Sequence, residues 1–118
     1  GEATVTVRGK GQGGRNQELA LSAALALERQ PRVAVLSFTT DGEDGTTPAA
    51  GAVVTGDTAR LARSYGIDPA VHLANNDSHT FFARLDEASR GRAEPHLITT
   101  GPTATNVNDL AVILAYAE

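Results

Sequence analysis

A glycine-rich stretch, Gly9-Lys10-Gly11-Gln12-Gly13-Gly14, stands between an alternating run and a long apolar segment, and that junction limits the folds open to the chain. Before it, Val5 and Val7 face one way while Thr4 and Thr6 face the other, so Thr4 to Arg8 read as a short strand with one buried face. After it, a helix is predicted from about Asn16 to Gln30. Asn16 can cap it, Glu18 suits the positive end of its dipole, and Pro31 marks its end. Leu19, Ala20, Leu21, Ala23, Ala24, Leu25, Ala26 and Leu27 leave almost no polar face along its middle, which predicts burial nearly all round. The alanines permit close approach to a sheet.

The same alternation of elements continues. Val33 to Phe38 is an apolar run of strand length, ending in Thr39-Thr40-Asp41-Gly42. Ala49 to Val54 is a packed small-residue segment, strand or helix. Asp57 or Thr58 can cap a helix ending near Tyr65, with Gly66 as its left-handed stop. Asp68, Pro69 and Ala70 begin a turn, and Asn75-Asn76-Asp77 precede a short helix carrying Phe81, Phe82 and Leu85. Asp86 to Glu94 reads as an exposed loop. His96 to Ile98 reads as a strand ending in Thr99-Thr100-Gly101-Pro102, and Leu110 to Tyr116 as a last central strand, a helix being the alternative. Strands alternating with helices predict one α/β layered domain with a mixed, mainly parallel sheet and flanking helices.

A length of 118 residues suits one domain, and 41% hydrophobic residues fill one core. The absence of cysteine excludes disulfides and thiolate metal sites. A formal charge of −4 weighs against nucleic-acid and anionic-membrane binding, and no apolar run is long enough to span a bilayer. The chain reads as soluble and cytoplasmic. It starts at Gly1 and contains no methionine, which points to excision from a longer protein.

Four polar constellations carry the chemistry. In the first, glycines let backbone N–H groups approach an anion, the helix start adds unpaired donors, and Lys10 and Arg15 add charge. Arg15 has the fork geometry that suits phosphate or carboxylate oxygens. The alternative is an ordinary glycine turn with solvated basic side chains. No Gly-Lys-Ser or Gly-Lys-Thr closes a Walker A motif. Gly9, Gly11 and Gly14 do fit G-x-G-x-x-G, but the acidic residue of a dinucleotide site is missing at its expected distance. The second is Asp41-Gly42-Glu43-Asp44-Gly45-Thr46-Thr47, whose carboxylates could hold Mg²⁺ through water or orient a substrate hydroxyl, or could form an exposed acidic turn. The third, Asn75-Asn76-Asp77-Ser78, reads first as a capping cluster. The fourth runs from Thr99 to Asp109, with hydroxyls, amides and a carboxylate suited to a small polyhydroxylated ligand. His72, His79 and His96 have no metal-ligand spacing.

Taken together these segments resemble the MOFRL domain at the carboxy end of glycerate 2-kinases, some relatives of which are labelled hydroxypyruvate reductases. The matching stretches are Thr4 to Gly11, Gly13 to Ala20, Asp41-Gly42, Asp44-Gly45, Ala49 to Ala52, Ala74 to Ser78 with Phe81-Phe82, Thr100 to Thr103, and Thr105 to Leu110. They cover nearly the whole of residues 1–118. Thr46, His79 and Ala104 depart from the proline, tyrosine and glycine that the family favours. The resemblance implies a kinase, using ATP and Mg²⁺ to phosphorylate the 2-hydroxyl of D-glycerate to 2-phosphoglycerate. It also implies a preceding N-terminal kinase domain of the same chain, absent here, with the active site in the cleft between the two. On that reading Arg15 contacts the glycerate carboxylate or the transferring phosphoryl group and Asp41 acts beside it. Lys10, Asn16, Thr40, Asn106 and Asn108 are the expected substrate contacts, and Asp44 the expected Mg²⁺ contact. The isolated chain is expected to be inactive, and a homodimer is compatible with the sequence. The alternatives are an NAD(P)H-dependent hydroxypyruvate reductase and a non-catalytic small-anion-binding module.

Overall fold

The computed structural model describes residues 9–101 and 108–117. In chain order they form α1 (Arg15–Ala26), β1 (Val33–Thr39), β2 (Gly51–Thr55), α2 (Thr58–Ser64), α3 (Pro69–Ala74), α4 (Ser78–Ala88), β3 (Leu97–Ile98) and β4 (Asp109–Ala115). The four strands make one sheet in the order β3-β2-β1-β4. Every described pairing is antiparallel, which corrects the expected mainly parallel sheet. Residues 40–50, between β1 and β2, form no crossover helix, so β2 can only return alongside β1. The predicted strand Thr4 to Arg8 lies outside the described residues.

The segment Ala49 to Val54 resolves as strand β2. Gly51 sits opposite Phe38, where a Cβ would lie 1.9 Å from the Ser37 carbonyl oxygen, so the two strands meet there only because that side chain is missing. β4 pairs with β1 along its length but lies at the edge of the described sheet, not at its centre. Asp68 caps α3, its carboxylate accepting from the Ala70 and Val71 N–H groups. Gly66 follows α2 with φ +76°, as its position after the helix requires.

Helix α1 packs on β1 and β2. Its buried residues, Asn16, Gln17, Ala20, Leu21 and Ala24, repeat at helical spacing, whereas Leu19 is exposed. The helix is therefore buried on one face, not all round. One core unites Leu21, Ala20 and Ala24 with Val35, Val54, Ile67, Phe81, Phe82 and Leu85. Phe81 and Phe82 meet edge to face with centroids 5.0 Å apart, a favoured aromatic geometry.

The two-residue strand β3 is held from outside the sheet. Asp86 of α4 accepts the backbone N–H groups of His96 and Leu97 at 2.8 and 3.0 Å, and pairs with His96 Nδ1 at 2.8 Å. Burial pushes the Asp86 carboxyl up, but these donors outweigh it and hold its pKa below the ordinary value.

Candidate functional site at one end of the sheet

The glycine loop lies on the turn before α4. The N–H groups of Gly9, Lys10, Gly11 and Gln12 donate, in order, to Asn76 Oδ1, Asn75 Oδ1, the Asn75 carbonyl and Asp77 Oδ1, at 2.8 to 3.2 Å. Gln12 returns its carbonyl to the His79 N–H at 2.8 Å. A Cβ on Gly9 would lie 2.2 Å from the Asn75 carbonyl oxygen, and one on Gly11 2.3 Å from Asp77 Cβ. The glycines thus let two segments of the protein meet, and successive amides expected to face an anion are spent inside the molecule. The capping role expected of Asn75-Asn76-Asp77 is corrected too: Asp77 precedes α4 without a side-chain cap bond and gives its carboxylate to Gln12 instead. Asn76, at φ +51°, also donates Nδ2 to the Glu18 carboxylate, tying the loop to α1. The side chain of Lys10 is exposed on this braced loop.

The start of α1 already holds an anion, and it is Asp44. Its Oδ1 accepts from Asn16 N (3.0 Å) and Nδ2 (3.2 Å), and its Oδ2 accepts from Gln17 N (2.8 Å) and Nε2 (3.0 Å). The residue is 1% exposed. The positive end of the helix and the orphan donors of its first turn are the physical reason a carboxylate is stable there. The network extends to Ser37 Oγ, which donates to Asn16 Oδ1, and to Thr47 Oγ1, which accepts from Gln17 Nε2. Asn16 therefore lies inside the first turn and not at its cap, which is Gly14.

His79 closes the network. Gln17 spends its amide N–H groups on Asp44 and Thr47, so its Oε1 is the acceptor and His79 Nδ1 carries the proton between them at 2.9 Å. Burial holds the His79 pKa below its ordinary value, partly opposed by Asp44 and Asp77. Ser78 Oγ is buried with no hydrogen-bond partner among the described residues; a Cβ on Gly13 would lie 2.4 Å from it.

Above this base, several chain segments converge at one end of the sheet. Arg15, the first residue of α1, makes a two-point pair with Asp109, the first residue of β4: Nε meets Oδ2, and Nη2 meets Oδ1 at 2.9 Å. Asp109 is the sheet partner of Thr39, the last residue of β1. Thr40 donates its N–H and its hydroxyl to the Asn108 carbonyl at 3.2 and 2.9 Å. Asp41 Oδ1 accepts from Thr39 Oγ1 and from the Glu43 N–H, so it stays at the strand end. Gly42, at φ +90°, packs so closely on the second threonine-glycine turn that a Cβ would lie 2.1 Å from the Gly101 carbonyl oxygen and 3.1 Å from Thr100 Oγ1.

The structure thus brings Arg15, Thr40, Asp41 and Asn108 to one end of the sheet, with Asn16 and Asp44 buried beneath them. Asn106 lies outside the described residues. A cavity of about 540 Å³ opens beside Gly42, lined by Glu43, Thr46, Thr47, Pro48, Thr99 and Gly101. The larger cavity, about 810 Å³, lies at the far end of α4 among Asp86, Arg90 and Glu94, away from this convergence.

For Mg²⁺, the donor set divides. Both Asp44 oxygens are committed to α1, so the expected metal contact there meets a carboxylate already in use. Asp41, half-buried at the strand end, suits an ion that keeps several waters and takes one or two protein carboxylates alongside substrate phosphates. Among the described residues no group of three or more histidine, aspartate or glutamate side chains is placed to hold a metal. No helix among the described residues is long and apolar enough to cross a membrane.

Two features escaped the sequence. Asp109 was visible only as the end of a polar stretch, and nothing in linear spacing pairs it with an arginine 94 positions away. The bracing of the glycine loop was hidden because cap and clamp use the same residue types. Adjacency of two Asn residues to an Asp was the available signal, since three short side-chain acceptors in a row can reach the backbone N–H groups of another segment as well as those of a helix start.

The model of the MOFRL family matches residues 1–109. The D-glycerate 2-kinase of Thermotoga maritima is 49% identical over 112 residues, taking in 95% of this chain and 25% of that protein. The glycerate kinase of Homo sapiens is 50% identical over 113 residues, 92% of this chain and 20% of that protein. A putative hydroxypyruvate reductase of Agrobacterium vitis is 42% identical over 116 residues, 97% of this chain and 28% of that protein. The crystal structure of the Thermotoga maritima glycerate kinase superimposes with a TM-score of 0.88 at 48% identity, over 98% of this chain and 26% of that one. The chain thus spans 20% to 28% of the length of these relatives.

Proposed function

This chain belongs to the MOFRL family, and on that premise we propose that it supplies one wall of the active site of a glycerate 2-kinase. The substrate on this reading is D-glycerate, phosphorylated by ATP at its 2-hydroxyl to give 2-phosphoglycerate, and a preceding kinase domain of the same polypeptide forms the opposite wall. The observation that carries the proposal is the convergence of Arg15, Thr40, Asp41 and Asn108 at one sheet end. It occurs in a domain 49% identical to a D-glycerate 2-kinase.

Phosphoryl transfer depends on positioning and charge stabilisation more than on covalent chemistry, and these residues offer both. The Arg15 guanidinium, held by Asp109, contacts the glycerate carboxylate or the transferring phosphoryl oxygens. Asp41 orients the attacking hydroxyl and accepts its proton, or carries Mg²⁺ through water. When bound, Mg²⁺ would neutralise charge on the transferring phosphate. Thr40, Asn106 and Asn108 hydrogen-bond the substrate, and Lys10, on its braced loop, adds positive charge at the edge of the cleft. Asn16 and Asp44 act from below by fixing the turn of α1 from which Arg15 projects. The amides of residues 9–12 are already bonded and do not cradle the phosphates.

The name of the Agrobacterium vitis relative favours a reductase as the second reading. Its structural basis would be the G-x-G-x-x-G fit of Gly9, Gly11 and Gly14. That fit loses its force here: the Gly9 and Gly11 amides are spent on Asn76 and Asn75, and a Cβ on Gly14 would meet Asp44 Cγ at 2.4 Å. One pair of assays on the full-length protein separates the readings. The kinase forms ADP only with D-glycerate and Mg²⁺ present, whereas a reductase oxidises NADH or NADPH with hydroxypyruvate. Arg15→Ala is expected to lower turnover beyond about a hundredfold; near-wild-type turnover would remove Arg15 from the mechanism.

A further inference from the structure

We infer that Asp109 is a positioning residue for the reaction, fixing the plane and reach of the Arg15 guanidinium at the cleft. The inference rests on the role proposed for Arg15 and adds a residue that role did not include.

Three observations carry it. The contact is made through two guanidinium nitrogens, Nε and Nη2, to the two oxygens of one carboxylate, so it fixes orientation as well as distance. The Asp109 side chain is 8% exposed while that of Arg15 is 33% exposed, so the anchor is buried and the anchored group reaches solvent. Asp109 is also held by the sheet, as the partner of Thr39, whose hydroxyl in turn donates to Asp41. One rung of the β1–β4 ladder therefore sets where the guanidinium stands relative to the Asp41 carboxylate. A long, flexible arginine gains its productive geometry from that rung. Lysine, as a point charge, could not use the two-point contact in the same way.

The test is a mutant cycle in the full-length kinase, reading kcat and KM for D-glycerate together with thermal unfolding. Asp109→Asn is expected to lower kcat/KM by about tenfold or more in the wild-type background and to add almost nothing in an Arg15→Lys background. A residue serving only the fold would give the same loss in both backgrounds, and that result overturns the inference. Asp109→Glu keeps charge and folding while displacing the guanidinium by one methylene, and is expected to fall between wild type and Asp109→Asn. Wild-type kcat/KM in both Asp109 variants, with Arg15→Ala impaired, overturns this inference and leaves the kinase reading standing. Wild-type activity of Arg15→Ala overturns the two together.

Discussion

Gln17 gives both its backbone and its side-chain N–H to a single oxygen of Asp44, at 2.8 and 3.0 Å. The first turn of α1 is thereby locked to the loop after β1 through one buried carboxylate. Asp44→Asn would put an amide NH₂ against these donors and remove the charge that complements the helix dipole. We expect a loss of about 3 kcal/mol, measured by urea or thermal unfolding, the usual scale for a buried charged acceptor. A loss within experimental error would show that water can replace the carboxylate.

Asn76 ties the glycine loop to α1 through Gly9 on one side and Glu18 on the other. Asn76→Ala should release the loop around exposed Lys10 and cost about 1–2 kcal/mol. Limited trypsin digestion should then cut after Lys10 faster than in the wild type, while cleavage at sites beyond the loop keeps its rate. Equal rates at Lys10 would mean that the remaining amide contacts suffice.

Two glycines separate close packing from backbone conformation. At Gly51 a Cβ would collide with the backbone of β1, whereas at Gly66 nothing lies within 4 Å and only φ +76° is at stake. Gly66→Ala should cost about 1–2 kcal/mol through left-handed strain. Gly51→Ala should cost more, because β2 must separate from β1. Comparable melting temperatures for the two variants would contradict this order.

Stability should fall in two steps as the solution is acidified. His79 has a depressed pKa in the folded protein, so its contribution is present above the ordinary value of 6.5 and is lost as pH falls from there through its folded value. Asp86 is depressed as well, so its contribution is present above 3.8 and is lost at lower pH. His79→Gln should flatten the first step and Asp86→Asn the second, read from unfolding free energy against pH. If neither substitution changes the slope in its own window, the assignment of these two groups fails.

Local chemistry made much of the fold readable. The apolar run at Val33 to Phe38 and the Gly66 stop were legible because each depends on neighbours a few residues apart, whereas the expected alternation of strands with helices gave way to β1 followed directly by β2 and α2 to α4 in succession. The polar nature of the sheet end was legible for the same reason: threonine and glycine gather after both β1 and β3, with aspartate after β1. Strand direction was not legible, since an antiparallel return and a parallel crossover can follow the same run of apolar residues.

The sequence by itself determined that this chain forms a small α/β domain with basic, hydroxyl and carboxylate groups at its strand ends, and its motifs placed it near the MOFRL family. Only the tertiary structure decided which of those groups face outward. Asp41 and Asp44 are three positions apart and chemically identical, yet Asp44 is enclosed against α1 while Asp41 remains at the strand end. The difference lies in what arrives from elsewhere in the chain: the start of a helix, with its orphan N–H groups, reaches one carboxylate and not the other.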